Sequence, residues 1–196
     1  VDATWLPEMM QWAIRPDIGV VGAKLLRANH TLQHAGIIMG LVGYVGHIYL
    51  NAPEHYFGLW GSADWYRDIL AVTGACQMMR RDVFEEVGGY DEGFQLAFGD
   101  IDFCLRVHQQ GYRNIYTPFA RLYHYEGRSR GYQTPVGDVL RGYEKFGAFL
   151  SHPDPYYSPH LTYTRIPKCS PDPFSEKTRK ANIEARKKFY IKISKT

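Results

Sequence analysis

The sequence predicts a mixed α/β domain, a β-sheet flanked by helices. Three observations predict it. Ile18 to Leu26 is an apolar run broken by two glycines, which suits a buried strand. Asp100 to Gln110 reads as a helix with Gly111 as its stop. Tyr112 to Thr117 then reads at once as another strand, closed by Pro118. At 196 residues and 45% apolar content, the chain is long enough for one domain with a real core.

The remaining elements follow in order. Thr4 is placed to cap a first helix with Pro7 in its opening turn; Leu6, Met9, Met10 and Ala13 form its apolar stripe. Pro16 follows the helix. After the strand at 18–26, Arg27 to His30 reads as a turn and Leu32 to Met39 as a second strand. Gly40 to Tyr66, rich in glycine, histidine and aromatic residues, reads as a long loop with little regular structure. Ile69 to Met79 reads as a strand. Asp82 to Glu85 resembles a capping-box start, and Gly88 ends that short helix. Gly89 to Phe98 connects to the helix at 100–110. Ala120 to Tyr125 is a further extended segment, and Glu126 to Thr134 is polar and glycine-bearing. Thr134-Pro135 caps a helix reaching Leu150. Two regions result: 1–150 forms the domain, and 151–196 a proline-rich arm followed by a basic C-terminal helix from Ser175. No internal repeat is found.

Composition narrows the function. A net charge of +3 is too small to argue for nucleic acid. No apolar stretch of transmembrane length is present. The first residues carry no signal-like pattern. Three scattered cysteines, Cys76, Cys104 and Cys169, read as free thiols in a reducing compartment. The charge is uneven, because Glu176 to Thr196 holds eight Lys or Arg against two Glu. Such a helix either lies on an anionic membrane face or is a solvated surface helix. The 15 Tyr, 10 Phe and 4 Trp serve either core packing or sugar binding.

The chemistry concentrates between residues 72 and 132. Asp100 and Asp102 form a DxD pair, but positions i and i+2 of a helix do not face each other. Asp100 stands at the helix start, where backbone N–H groups favour negative charge. Read alone it is an N-cap; read with Gly99-Asp100-Ile101-Asp102-Phe103-Cys104-Leu105-Arg106 it is a candidate general base. Asp102 is spaced to pair with Arg106. His124 closes a strand. Arg128, Ser129, Arg130 and Tyr132 share one loop whose cations and hydroxyls could close over a diphosphate. Thr73, Gly74 and Ala75 sit at a strand end, where glycine admits a close neighbour.

These residues resemble the acceptor-side half of inverting family 2 glycosyltransferases with a GT-A fold. The family motif (E/N)D-x-D-x-x-x-R aligns with Asp100, Asp102 and Arg106, and Gly99 stands where the family has an acid or amide. Gly22–Leu26, Gln33–Gly36, Gly46-His47, Val72–Cys76, Gly88-Gly89, Leu122–Gly131 and Asp154–Tyr157 are similar to recurring stretches of one bacterial subgroup, so the likeness covers residues 5 to 162. It implies the C-terminal part of a GT-A fold. It implies Asp100 as catalytic base, His124 as ligand to Mn²⁺ or Mg²⁺, and Arg128, Ser129, Arg130 and Tyr132 at the donor diphosphate. Thr73, Gly74, Ala75, Asp102 and Arg106 would lie at the acceptor sugar. The implied partners are a nucleotide-diphospho-sugar and a glycan or lipid-linked acceptor, with no nucleic acid. The implied setting is bacterial surface-polysaccharide synthesis in the cytoplasm, with peripheral membrane contact through the basic helix.

The family's nucleotide-binding half and its DxD metal motif have no counterpart here. The chain is therefore expected to be a fragment with a bared sheet edge open to homodimer pairing. Two rival readings remain: a non-catalytic glycan-binding or interaction module using the aromatic loop, and a metal-dependent hydrolase using Asp100 and His124.

Overall fold

The computed structural model describes residues 3–125, 133–164 and 170–195. The elements begin with α1 (Trp5–Ala13), β1 (Ile18–Leu26), β2 (Leu32–His34), β3 (Ile37–Met39) and β4 (Val45–His47). Then come β5 (Phe57–Gly58), β6 (Gly61–Ser62), β7 (Arg67–Asp68) and β8 (Gln77–Met79). α2 (Arg81–Glu86), α3 (Gly99–Gln109) and β9 (Arg113–Tyr123) follow. α4 (Val136–Lys145), α5 (Gly147–Ser151) and α6 (Ser175–Ile193) complete the order.

A mixed sheet lies at the centre. β1 is buried along its whole length. On one edge it runs parallel to β9, and β9 pairs antiparallel with β7. The other edge of β1 is divided. β8 pairs with Val20 to Gly22, and β2 pairs with Leu25 and Leu26. Val72, just before the turn that leads to β8, occupies the space over β1 that a side chain on Gly22 would need. Side chains of β1 alternate between faces from Val20 onward, after a register shift between Ile18 and Val20. Ile18, Val21, Ala23 and Leu25 pack with Met9 and Ala13 of α1, whereas Val20 and Leu26 join Phe103 and Val107 of α3. Lys24, the one charged residue of β1, is buried and ion-paired to Asp64, which ties the aromatic loop to the sheet.

Several boundaries differ from the sequence expectation. The expected strand 32–39 is two strands, because Gly36 turns at φ 113°, a conformation costly for other residues. The region 40–66 is more ordered than a loop: β3 pairs with β4, β5 pairs with β6, and Tyr44 and Tyr49 are buried. Only Gln77–Met79 of the expected strand 69–79 pairs as a strand; Gly74–Cys76 is a 3₁₀ turn. β9 runs through Pro118, because its register against β1 jumps from Thr117 to Arg121 and leaves the proline outside the ladder. The expected helix 134–150 is two helices meeting at Phe146. Thr4 stands at the N-cap of α1 without a side-chain cap bond, and Leu6 and Met10 of the expected stripe are exposed.

The segment 151–195 packs on this body. Arg179 of α6 is fully buried, donating to the Leu150 carbonyl at 2.6 Å and pairing with Glu176 at 2.7 Å. Asp154 is buried and accepts from the N–H groups of Met39 and Tyr156, each at 2.9 Å.

Burial raises the Asp154 pKa from 3.8 to about 6, and the two backbone donors only partly oppose it. The folded chain thus holds this proton more tightly than the unfolded chain. Its contribution to stability is complete below about pH 4 and lost as pH rises to about 6. The stability of the native chain minus that of Asp154→Asn should fall by roughly 2–3 kcal/mol across that window, read by urea denaturation at each pH. A flat difference would show that Asp154 titrates normally.

Candidate active site

The site gathers at the N-terminal end of α3, beside the turn that follows Val72. Thr73 is extended, at φ −73° and ψ 141°, and its hydroxyl accepts from the Ala75 N–H at 3.5 Å. Gly74 and Ala75 are exposed. The Gly74 N–H donates to Asp100 Oδ2 at 2.7 Å, and the Ile101 N–H donates to Asp100 Oδ1 at 2.9 Å. Both carboxylate oxygens are therefore held by backbone, while the residue keeps partial access to solvent. A side chain at Gly74 would begin 3.1 Å from Asp100 Cβ, so glycine permits this approach.

The chain reaches Asp100 through Phe98, a non-glycine residue at φ 70°. Its ring packs edge-on against buried Tyr44 at 5.0 Å. The preceding loop is held from α4. Buried Asp138 accepts from Gln95 N–H at 2.9 Å and from Leu96 and Ala97 N–H at 2.8 Å. Asp91 is bound by Lys145 and by Arg141 at 2.8 Å, and these cations hold its carboxyl well below the usual range.

Asp102 points away from Asp100 and into the fold. It is buried, pairs with Arg106 at 2.8 Å and lies 3.4 Å from Lys145. Arg106 also donates to the carbonyls of Val87 and Gly89, each at 2.6 Å. The side chains of this pair thus hold the turn after α2. Tyr90, 44% exposed, lies within electrostatic reach of Asp100, and its hydroxyl donates to Gln77 Oε1 at 2.9 Å.

His124 follows β9, and its N–H donates to the Leu26 carbonyl at 2.8 Å. Its Nδ1 is buried without a hydrogen-bond partner among the described residues. His34, fully buried, is within electrostatic reach of His124 and meets the Thr73 N–H through Nε2 at 3.4 Å. Burial holds the His34 pKa well below the usual imidazole value, and His47 and His124 lower it further. Thus Thr73, Gly74, Ala75 and Asp100 form one cluster, and His34 links it toward His124. Arg128, Ser129, Arg130 and Tyr132 lie outside the described residues, as does Cys169.

His124 offers a single ligand atom to a divalent ion. Among the described residues no three His, Cys, Asp or Glu converge to hold one. The described donors alone do not fit Mn²⁺ or Mg²⁺, which take about six ligands, mostly oxygen. Thiol chemistry is also unfavourable: burial pushes Cys104 up to about 12 and raises Cys76. Among the described residues no helix is long and apolar enough to cross a membrane.

Sequence reasoning missed the roles of His34, His47 and Asp138. The two histidines lay in motifs noted only for likeness. Asp138 binds backbone N–H groups, which leave no trace in side-chain patterns.

No family model matches this chain. The chain is 42% identical over 167 residues to the O-antigen biosynthesis protein RfbC of Myxococcus xanthus, covering 84% of this chain and 13% of that protein. It is 40% identical over 171 residues to the uncharacterized protein y4gI of Sinorhizobium fredii, covering 82% of this chain and 18% of that one. An N-acetylglucosaminyl-diphospho-decaprenol L-rhamnosyltransferase of Mycobacterium tuberculosis is 33% identical over 80 residues, 41% of this chain and 26% of the enzyme. The chain therefore spans less than a fifth of the length of the first two relatives.

Removing Arg106 would leave the Asp102 carboxylate with Lys145 alone and strip two carbonyls of their donor. Arg106→Ala should cost about 2–3 kcal/mol in chemical denaturation, and Arg106→Lys should recover part of it. A loss below about 0.5 kcal/mol would show that this network contributes little.

Proposed function

We propose that this chain is the acceptor-side part of a GT-A, family 2 glycosyltransferase of bacterial polysaccharide synthesis. The names of two relatives support sugar transfer in that setting. The observation that carries the residue assignment is the Asp100 carboxylate, fixed by the Gly74 and Ile101 N–H groups beside an exposed backbone turn.

In this reading a nucleotide-diphospho-sugar is the donor, and a glycan or lipid-linked molecule is the acceptor. The bare Thr73-Gly74-Ala75 backbone forms a floor that an acceptor sugar can approach closely. Asp100 takes the proton from the acceptor hydroxyl as its oxygen attacks the anomeric carbon. The new C–O bond forms on the face opposite the diphosphate. The old bond to the diphosphate breaks, the electron pair leaves with it, and configuration inverts. Arg128, Ser129, Arg130 and Tyr132 are assigned to the diphosphate, and Asp102 and Arg106 to supporting the acceptor side. If a divalent ion takes part, His124 gives it one ligand, and it would offset charge on the departing diphosphate. Cytoplasmic location, contact of α6 with a membrane and dimerisation belong to the same proposal.

A second reading has its own support. Phe57 and Trp65 lie edge to face at 5.7 Å, Tyr66 and Phe119 lie 5.0 Å apart, and all four are more than 40% exposed. Such rings can stack on sugars without catalysis.

The test is Asp100→Asn in the full-length protein. Transfer should drop by more than about 10²-fold, with nucleotide-sugar binding by calorimetry unchanged. Product analysis by NMR should show the anomeric configuration opposite to that of the donor. Normal transfer by Asp100→Asn would sink the base assignment. Glycan binding without turnover in the native protein would favour the aromatic module instead.

A further inference from the structure

The motifs Gln33–Gly36 and Gly46-His47 take no part in the transfer step described above, yet they meet beside it. β2 carries His34 next to Leu25 of β1, and β4 carries His47. The two rings lie edge to face with centroids 5.1 Å apart, and their Nδ1 atoms are 2.9 Å apart. At that distance one proton sits between the two nitrogens. On its other side, His34 Nε2 receives the Thr73 N–H at 3.4 Å. A hydrogen on Nε2 would point at that N–H, so Nε2 bears the lone pair. The proton of His34 is therefore on Nδ1, and it is donated to the lone pair of His47 Nδ1. Tyr116 closes a third side of His34, edge to face at 6.3 Å, with its own hydroxyl fixed on the Ala63 carbonyl at 2.9 Å.

We propose that His34 is a positioning residue: His47 locks it as the Nδ1–H tautomer, and its Nε2 lone pair clamps the Thr73 amide. One residue later the same backbone presents the Gly74 N–H to Asp100 Oδ2 at 2.7 Å. A slip of the turn by about 1 Å would carry that donor beyond hydrogen-bond range. The clamp thus contributes to where the carboxylate points, together with the Ile101 N–H on Oδ1. This rests on the reading of Asp100 as the base, and misplacement of about 1 Å can cost on the order of 10²-fold in rate. A histidine that merely fills the core would show no selective effect on turnover and no effect on the exchange of these two amides.

The first test needs no variant and no activity. Two-bond ¹H–¹⁵N correlation on this chain, labelled at histidine, should show His34 protonated at Nδ1 and His47 at Nε2 at neutral pH. Protonation of His34 at Nε2 overturns the proposal. Next, His34→Leu should speed hydrogen exchange of the Thr73 and Gly74 amides, and His34→Gln, which keeps an acceptor near the Nε2 position, should restore slow exchange. Unchanged exchange in His34→Leu also overturns it. Where His34→Leu fails to fold, a His47→Leu substitution at that partly buried position takes its place and should release the His34 tautomer.

In the full-length protein, His34→Leu should lower kcat by about 10²-fold with donor KM changed less than about threefold, and His34→Gln should recover about tenfold. Unchanged kcat would refute the clamp while leaving the base reading intact. A fixed tautomer and altered exchange, joined to normal transfer by Asp100→Asn, would refute the base reading alone.

Discussion

Between Ile18 and Leu26 every residue is withdrawn from solvent, so everything around β1 has to meet a demand of that strand. Its side chains need apolar cover on both faces, and each buried Val or Leu contributes about 2 kcal/mol when that cover is provided. α1 and α3 provide it. Its backbone needs partners on both edges. β9 satisfies one edge for most of the length. The other edge is satisfied by two short strands, β8 and β2, that come from different parts of the chain. Neither is long enough to fill the edge alone. Gly22 leaves room for Val72 over one face of β1, which brings the turn carrying Thr73 to Ala75 close to the strand. The place of the candidate site thus depends on the missing side chain at one position of this strand.

Helical spacing explains the opposite fates of two aspartates. Asp100 and Asp102 lie on one helix, and a separation of two residues turns them to different sides. Asp102 faces the body, where it would be costly unpaired, and Arg106 and Lys145 neutralise it. Asp100 faces the turn, where two neutral N–H groups orient it and no cation pairs with it among the described residues. A base needs this arrangement. A cation on the carboxylate would hold it tightly and occupy the lone pairs that have to receive a proton, whereas backbone donors fix direction and leave lone pairs free.

Much of this was legible in the sequence. The apolar run of β1, the stop at Gly111 and the position of Asp100 at a helix start follow from local chemistry. The pairing of Asp102 with Arg106 follows from helical spacing alone. What was not legible depends on contacts distant along the chain. Gly36 turns the strand, and Ile37 then bonds to Ala71, a residue distant along the chain, rather than continuing along β1. Pro118 ends a strand by rule, yet the strand resumes at Arg121 once three residues bulge out of register. The region 40–66 looked irregular because its strands are two or three residues long, too short for periodicity to register. His34 and His47 are thirteen positions apart, and nothing in their spacing says that two imidazoles share a proton.

α4 shows the same limit from another direction. Asp138, Arg141 and Lys145 fall at i, i+3 and i+7, one face of a helix. A charged face is ordinarily the one turned to water. Here it is turned to the loop before α3. Asp138 takes three backbone N–H groups of that loop, and the two cations take Asp91 at its start. The loop cannot relax toward a better backbone at Phe98 without giving up those bonds. A left-handed phenylalanine costs on the order of 1 kcal/mol or more. The three N–H bonds to the Asp138 side chain outweigh that, at about 1 kcal/mol each. Strain at Phe98 is therefore stable as long as α4 stays docked. Because Asp100 is two residues further on, the aim of the candidate base is set jointly by α4 and by the turn at Gly74, on opposite sides of the same helix start.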